Sequence, residues 1–392
     1  MNPKLLFPLE EYQARVRRAK ESMHRSGLEV LLVTDPANMN YLSGYDGWSF
    51  YVHQGLLLLM DREEPVWFGR MQDSNGARLT SWLADENIRG YEDRYVQSNL
   101  RHPMDFVAGL LAEFGAEKRR LGVEMDSYYF TGQCLASLTE NLPAARILDA
   151  NLLVNWVRLI KSPNEIAYMR DAARIVEKVM KKAMEVIEVG VREGEAAGEV
   201  VRAQLAGTAE FTGDYPSIFP IMPSGLRTST AHLSWTDRRY EKNDLVLLEL
   251  AGNRFRYHAP LSRTLYLGAP PPALAEVAQG VIDGLNKVLD FIRPGVTGEE
   301  VEGVWRRAIS GTKVVKESRI GYAFGCNYPP DWGEHTVSLR PGDKNVLVSG
   351  VTMHVMPGVW LDEFGFECSE PIVVTEKGCE CLADFPRQLG VK

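Results

Sequence analysis

The stretch VLLELAGNRFRYHAPLSRT, residues 246–264, predicts a buried strand, a turn and a second strand. One carboxylate, Glu249, stands inside the apolar run Leu247, Leu248 and Leu250. Removing an unpaired carboxylate from water is costly, or else the group stays protonated. Glu249 is therefore a candidate functional residue, and the alternative is a glutamate on the solvent-facing side of a curved sheet.

The N-terminal region, residues 1–155, alternates strand and helix patterns, which predicts an α/β layer. The amphipathic pattern of the first helix is stopped at Gly27. The predicted helices are 9–27, 103–115 and 131–143, and the predicted strands are 30–35, 55–60, 64–69 and 120–125.

The region from residue 156 to residue 392 predicts a second domain. A long helix begins after Ser162 as the cap, has Pro163 at its first position and ends at Gly190. Helices are predicted at 163–189, 193–206, 273–291 and 297–310, with strands to about 268 and again over about 318–375. Two helices followed by strands occur twice, which indicates an internal duplication. The fold class is therefore α+β.

The composition excludes several classes of partner. The 392 residues are 45% hydrophobic and 24% charged, and the net charge is −8. Because Lys and Arg form no basic stripe, nucleic acid is not an expected partner. No stretch reaches the roughly 20 apolar residues that span a bilayer, and the start lacks the apolar core of a signal peptide. We expect a cytoplasmic protein with no membrane partner. The five cysteines show no zinc spacing and are expected to be reduced, structural thiols.

Six stretches together resemble the creatinase/prolidase/methionine-aminopeptidase superfamily, whose fold is called pita-bread. They are PANMNYLSGY (36–45), RLIKSPNEIAYMRDAA (158–173), LLELAGNRFRYHAPLSRTLYLG (247–268), IGYAFGCNYPPDWGEHTVSLRPGD (320–343), VTMHVMPGVW (351–360) and SEPIVVTEKGCECL (369–382). The resemblance implies a creatinase-type N-terminal domain over residues 1–155 and a C-terminal pita-bread catalytic domain over 156–392.

Members of this superfamily usually bind two divalent metals through five ligands. The positions that the resemblance assigns to these ligands are Glu249, Pro260, Tyr322, Met356 and Ser369, with Glu370 as the neighbour that a one-residue shift would select. Proline has no side-chain donor, and a methionine thioether prefers soft metals. The resemblance therefore predicts no metal and no cofactor.

The remaining possibility is the metal-free branch of the superfamily, which creatinase typifies. Within that branch, YDGWSFYVHQ (45–54) and the hairpin most resemble ectoine hydrolases, which open the cyclic amidine of ectoine to give N-acetyl-2,4-diaminobutyrate. The resemblance implies that Glu249 either attacks carbon C2 of the substrate or acts as a base on water. Ectoine and hydroxyectoine both remain possible substrates.

Two histidines are further catalytic candidates. His232 matches the superfamily's substrate-binding histidine and is expected to move a proton between water and the leaving nitrogen. His258, on the second strand of the hairpin, is either a second proton donor or only a loop residue. A lone histidine is more often a satisfied structural residue.

An aromatic cluster in the first domain is a candidate for recognising the positively charged amidinium. Its members are Trp48, Phe50, Tyr51 and His53. The alternative is a loop that caps the core. In this superfamily the N-terminal domain of one subunit often reaches into the site of its partner, so the resemblance implies a homodimer with a composite active site.

Several further residues are expected to line the same cavity. Those at or beside the replaced ligand positions are Tyr322, Tyr328, Met356, Ser369 and Glu370. Arg319 and Arg227 are candidates for pairing with the substrate carboxylate. Arg263, His335 and His354 are interpreted as structural.

Two other functions fit parts of the pattern. One is a creatinase-like amidinohydrolase, because the lost metal ligands alone are compatible with it. The other is a non-catalytic pita-bread module that binds a protein or a small ligand. For an ectoine hydrolase we also expect functional pairing with a deacetylase that consumes the product.

Overall fold

The computed structural model describes residues 5–312, 316 and 318–392, and the chain divides into two compact units, Met1–Arg158 and Leu159–Lys392. The first unit contains a six-stranded sheet in the order β4-β3-β2-β1-β5-β6. Its strands are β1 (Val30–Val33), β2 (Gly55–Leu59), β3 (Val66–Arg70), β4 (Ile88–Tyr91), β5 (Arg120–Val123) and β6 (Arg146–Asp149). Its helices are α1 (Leu9–Arg25), α2 (Pro36–Ser43), α3 (Ser74–Thr80), α4 (Pro103–Glu113), α5 (Gly132–Asn141) and α6 (Leu153–Val157).

The predicted helices and strands of this unit are confirmed, with ends shifted by a few residues. In α1, Tyr12, Val16, Ala19 and Met23 are buried on one face, as their spacing predicts. Gly27, with φ of +67°, follows the end of α1. The sequence did not predict α3 and α6, which have too few turns to show a period, or β4 and β6, whose partly exposed residues form no apolar run.

The second unit begins with two helices, α7 (Pro163–Val186) and α8 (Glu193–Ala206). Strands β7 (Leu245–Arg254) and β8 (Tyr257–Tyr266) follow, and then helices α9 (Pro272–Phe291) and α10 (Gly298–Ala308). The remaining strands are β9 (Gly321–Phe324), β10 (Gly333–Ser338), β11 (Thr352–Val355), β12 (Val359–Trp360), β13 (Gly365–Phe366), β14 (Glu370–Val374), β15 (Cys379–Cys381) and β16 (Gly390–Val391). One sheet has the order β10-β9-β11-β14-β15 and another has the order β16-β8-β7.

The repeated order of two helices followed by strands is confirmed. Ser162 caps α7 as predicted, because its side chain accepts the N–H of Glu165 and the Glu165 carboxylate accepts the N–H of Ser162. The predicted helix end at Gly190 is wrong, since α7 ends at Val186 and Gly190, with φ of +91°, lies in the turn before α8. No helix among the described residues is long and apolar enough to cross a membrane.

The predicted hairpin at residues 246–264 is confirmed and pairs from Leu245 opposite Tyr266 to Arg254 opposite Tyr257. Its two turn residues, Phe255 and Arg256, have φ of +51° and +69°, the signature of a type I′ turn. The hairpin packs on α7 so closely that a Cβ on Gly252 would collide with the carbonyl oxygen of Ala172. This packing fixes the strand that carries Glu249.

Candidate active site

Glu249 lies on β7 directly opposite Ser262 of β8. It is 8% exposed, and its neighbours Leu248 and Leu250 are fully buried. On its other side the backbone of Glu249 exchanges two hydrogen bonds with Ile221. Burial of this residue is confirmed, and a position on a solvent-facing sheet surface is wrong. Within the described part of the chain, no hydrogen bond reaches its carboxylate.

A second buried carboxylate, Glu367, lies beside the same strands. Its backbone N–H donates to Thr264 Oγ1 at 3.0 Å, and its carbonyl accepts from that hydroxyl at 2.8 Å. Two residues later, the Ser369 N–H donates to the Ser262 carbonyl at 3.1 Å. Residues 367–369 therefore run beside β8 at the point where β8 faces Glu249. One carboxylate oxygen of Glu367, Oε1, is buried without a hydrogen bond in the described structure.

Burial raises the proton affinity of both carboxylates, and the charge of Glu367 adds to this effect at Glu249. Burial, and then the charges of Glu367 and Asp331, raise the pKa of Glu249 well above its usual range. Burial raises the pKa of Glu367 to about 7, against the opposing charge of Lys316. Burial also lowers the pKa of Lys316 to about 8. Near neutral pH the pair is therefore poised to hold and release a proton.

A buried chain of hydrogen bonds joins two of the replaced ligand positions. Trp332 Nε1 donates to the Tyr322 hydroxyl at 2.8 Å, and that hydroxyl lies 3.1 Å from His354 Nδ1. His354 Nε2 lies 2.7 Å from Ser369 Oγ, which accepts the N–H of Ser262 at 2.7 Å. The sequence predicted only a structural role for His354, but the structure places it between Tyr322 and Ser369.

The protonation of this chain is constrained by burial. Burial, and then the charge of Arg319, lower the pKa of His354 to about 3, so its imidazole is neutral and carries one ring proton. Burial raises the pKa of Tyr322, so its hydroxyl stays protonated. Because Trp332 has only a donor, the Tyr322 oxygen accepts from it. One hydrogen atom then lies between Tyr322 and His354, and another lies between His354 and Ser369.

The residues at the five expected metal-ligand positions do not fit a pair of divalent ions. Pro260 pairs with Ala251, two residues from Glu249 and on the same face of the hairpin. Met356 packs against the buried cluster that contains Ala251 and Tyr322. The structure thus brings these positions together, but they offer one carboxylate, a phenol, a hydroxyl, a thioether and a proline. Hard divalent ions require more oxygen ligands than this.

His258 and His232, the two predicted catalytic histidines, lie in different surroundings. His258 lies within β8, so the loop alternative is wrong. Its Nδ1 donates to the Arg256 carbonyl at 3.0 Å, its Nε2 accepts the N–H of Ser217 at 2.9 Å, and burial lowers its pKa to about 4. His232 is exposed, in the loop after residues 225–229, and the described structure gives it no hydrogen bond.

Glu370 and Arg319 also differ in their surroundings. The Glu370 carboxylate is buried in an ion pair with Arg263, with 2.7 Å between Arg263 Nη2 and Glu370 Oε1. Successive residues of a strand point to opposite faces, which separates Glu370 from Ser369. Arg319 lies with its guanidinium 4.4 Å from the ring centre of Tyr322 and donates to Ser338. Arg319 therefore lies beside Tyr322, whereas the Glu370 carboxylate is paired with Arg263.

In the first unit, part of the predicted aromatic cluster lines a cavity of about 270 Å³. Trp48 and Tyr51 are 62% and 61% exposed, so they do not cap the core. The ring centres of Trp48 and Phe50 are 4.4 Å apart. The cavity wall is formed by Thr34, Ser49, Phe50, Tyr51, Val52, His53, Gln54, Tyr128, Tyr129 and Thr131. An exposed aromatic group beside a cavity is typical of a ligand-recognition surface.

The sequence profile of metallopeptidase family M24 matches residues 167–376, and that of the creatinase/prolidase N-terminal domain matches residues 15–160. An ectoine hydrolase from Halomonas elongata is 44% identical over 395 residues, which cover 99% of each chain. A protein of Sinorhizobium fredii named as an uncharacterized hydrolase/peptidase is 45% identical over 388 residues, again covering 99% of each chain.

Solved structures are similar over nearly the full chain. The dipeptidase PepE from Mycobacterium ulcerans has a TM-score of 0.82 at 21% identity, covering 98% of this chain and 99% of its own. The prolidase from Pyrococcus horikoshii has a TM-score of 0.80 at 22% identity, covering 96% and 99%. The predicted fold class, a creatinase-type N-terminal domain followed by a pita-bread domain, is confirmed.

Proposed function

This chain belongs to metallopeptidase family M24 and carries the creatinase/prolidase N-terminal domain, and we propose that it hydrolyses ectoine to N-acetyl-2,4-diaminobutyrate without a metal. Full-length identity of 44% to an ectoine hydrolase supports the substrate. The observation that carries the chemistry is the buried pair of carboxylates, Glu249 and Glu367, at a site whose other donors do not fit metal ions.

An amidinium ion complements this pair. Ectoine presents two N–H groups and one delocalised positive charge, and a carboxylate binds such a group strongly where water is excluded. The unpartnered Oε1 of Glu367 supplies an acceptor for one N–H. Burial, and then the charges of Glu367 and Asp331, raise the pKa of Glu249. A bound cation lowers that pKa again, so the substrate itself favours the ionised, reactive carboxylate.

In the covalent route, an oxygen of Glu249 attacks C2 and the electron pair of the C=N bond moves to a ring nitrogen. That nitrogen takes a proton from Glu367 and leaves as an amine when the C–N bond breaks. Water then attacks C2 and returns one proton to Glu367. The Glu249 carboxylate leaves as the C=O bond of the acetyl group forms, and the second water proton goes to the released amine, which becomes an ammonium group. In the alternative route Glu249 removes a proton from water, the water oxygen attacks C2, and the C–N bond breaks as the leaving nitrogen takes a proton from Glu367. A group with a pKa near 7 suits the proton transfers in both routes.

The other predicted residues take positioning and binding roles in this proposal. The chain through Tyr322, His354 and Ser369 holds the wall of the site, and Met356 supplies an apolar surface beside it. Arg319 is the candidate partner for the substrate carboxylate. His232 stays a candidate proton carrier on an exposed loop. For His258, whose ring nitrogens are both bonded to backbone groups, we favour a structural role.

The aromatic cluster of Trp48, Phe50, Tyr51 and His53 is the proposed cage for the amidinium, contributed by the partner subunit of a homodimer. The homodimer with its shared site is implied by the family resemblance. The cytoplasmic location and the pairing with a deacetylase also stay predictions. Light scattering of the purified protein tests the dimer. Mixing a Trp48→Ala variant with a Glu249→Gln variant tests the shared site, since hybrid dimers would regain one intact site.

The proposed function is tested by proton NMR of ectoine with the purified wild type, Glu249→Gln and Glu363→Gln. Glu363 is exposed and serves as a carboxylate control. We expect ring opening by the wild type and the control, and a loss of at least about 10³-fold in turnover for Glu249→Gln, as for other nucleophiles.

Creatine, hydroxyectoine and an Xaa-Pro dipeptide are the comparison substrates. Turnover of creatine but not ectoine would select the amidinohydrolase alternative. Turnover of none of them, with ligand binding retained, would select the non-catalytic module. Near-normal activity of Glu249→Gln would remove this residue from the mechanism.

A further inference from the structure

Three metal-ligating side chains meet in the first unit, away from the five family positions. His53, His102 and Cys134 each place a ligand atom within 4.8 Å of the other two. The two imidazole centres are 4.8 Å apart, and Cys134 Sγ lies 3.6 Å from His53 Nδ1. They come from the segment before β2, the cap of α4 and the first turn of α5. Only the fold brings them together.

We propose that this cluster binds one zinc ion through His53, His102 and Cys134. Two imidazoles and one thiolate form a donor set of borderline and soft ligands, which suits Zn²⁺ and does not suit Mg²⁺ or Ca²⁺. A fourth ligand can come from water in the adjoining cavity of about 270 Å³, whose wall includes His53. His53 is shared with the proposed amidinium cage, whereas His102 and Cys134 have no part in the proposed hydrolysis.

The surroundings prepare the donors for a metal. Burial, and then the nearby His102, lower the pKa of His53 to about 4, so its imidazole is neutral and has a free electron pair to offer at neutral pH. A hydrogen bond with the Tyr129 backbone fixes this ring. A second ring nitrogen bonded to a carbonyl is the usual support of a zinc-bound histidine. Burial also lowers the pKa of His102.

Cys134 is buried at the start of α5, with its backbone N–H bonded to the Thr131 side chain. Burial raises the pKa of its thiol, so without a metal the sulfur keeps its proton. Zinc binding displaces that proton, and the nearby helix N-terminus favours the resulting thiolate. Zinc affinity at this site should therefore rise with pH.

Binding requires one local change. His102 Nδ1 accepts the N–H of Met104 as the cap of α4, which leaves its proton on Nε2. A zinc-bound His102 gives up this cap, because either zinc binds Nδ1 or the ring proton moves from Nε2 to Nδ1. The loss of one N-cap is small beside the free energy of zinc binding to a site of this kind. Asp105 still accepts the backbone N–H of His102, so the other half of the capping box remains.

The experiment is a titration of the chelator-treated full chain with Co²⁺ as a spectroscopic probe, followed by displacement with Zn²⁺. We expect one equivalent to bind, with a thiolate-to-cobalt charge-transfer band, and Mg²⁺ in excess to leave the spectrum unchanged. Cys134→Ser should lose the band, and Cys134→Ser and His102→Gln should each weaken Zn²⁺ binding at least about 10-fold.

The matched controls are Cys326→Ser, a buried cysteine of the second unit, and His24→Gln, an exposed histidine of α1. Both should bind Co²⁺ like the wild type. The proposal is overturned if no equivalent binds, or if the band and the affinity survive in Cys134→Ser and His102→Gln. Circular dichroism of each variant identifies one that has merely unfolded, and the intact variant then decides. Because the readout is metal binding, an absence of ectoine turnover does not affect it.

Discussion

Two buried carboxylates of the second unit have opposite surroundings. Glu370 is 1% exposed and faces the guanidinium of Arg263, which is equally buried. Glu249 is 8% exposed, and the charged groups that shift its pKa are two further acids, Glu367 and Asp331. The charge of a buried carboxylate is stabilised when the fold supplies a matched cation. A buried carboxylate that lies among other acids is instead a candidate binding site for a cationic ligand. The comparison separates a structural glutamate from a functional one.

The largest effect on stability is expected when the buried ion pair between Arg263 and Glu370 is broken. Arg263→Met should lower the free energy of unfolding by about 3–5 kcal/mol, because the buried Glu370 charge loses its partner at 2.7 Å and keeps the looser contact with Arg387 at 3.7 Å. Glu249→Gln should leave stability unchanged or raise it, since it removes repulsion. Urea denaturation followed by circular dichroism measures both. A Glu249→Gln variant as unstable as Arg263→Met would abolish the distinction.

A smaller loss is expected from Tyr322→Phe. Removing the hydroxyl leaves Trp332 Nε1 and His354 Nδ1 with one partner fewer, at a cost of about 1–3 kcal/mol. Turnover should fall more than substrate affinity, since the wall of the site shifts while the carboxylates remain. Thermal unfolding and steady-state kinetics measure the two effects. Tyr128→Phe, on an exposed residue of the first unit, is the control for loss of a phenol.

The pH dependence of turnover tests whether Glu249 acts as an ionised carboxylate beside Glu367. Glu249 acts when ionised, and burial, followed by the negative charges of Glu367 and Asp331, raises its pKa. Activity should therefore fall as the pH drops, and the acid limb of kcat/KM should move to lower pH in Glu367→Gln, where that repulsion is gone. The rate at the optimum should also fall, because Glu367 no longer transfers a proton. An acid limb that stays in place would separate Glu367 from Glu249.

The smallest effect on stability is expected at His232. Its side chain is exposed, so His232→Ala should change the free energy of unfolding by no more than about 0.5 kcal/mol. If it carries a proton in the reaction, turnover falls by about 10²-fold or more at constant stability. Unchanged turnover would assign the proton transfers to Glu367 alone.

The sequence was sufficient for long, periodic elements. Helix α8 occupies the predicted range, and α7 begins at the predicted cap, because local side-chain chemistry determines both. The hairpin followed from its apolar runs and polar turn. The apolar neighbours of Glu249 favoured its burial, which the structure confirms.

The sequence could not show which distant side chains meet. Glu367 lies just before the stretch 369–382, whose resemblance assigned Ser369 to a ligand position. Its proximity to Glu249 depends on how residues 367–369 run beside β8. His354 was assigned a structural role because nothing local connects it to Tyr322 and Ser369. The sequence did not predict the cluster of His53, His102 and Cys134 for the same reason, since its members are far apart in the chain and form no short metal-binding motif.

The central claim is that protein carboxylates, without a metal, open the substrate ring. The most direct test is ectoine turnover by chelator-treated wild type and Cys134→Ser, with bound metal quantified in the same samples. The account predicts full turnover by wild type at a metal content far below one per chain, and comparable turnover by the variant. Loss of turnover on chelation in both proteins, restored by a divalent ion, would contradict it.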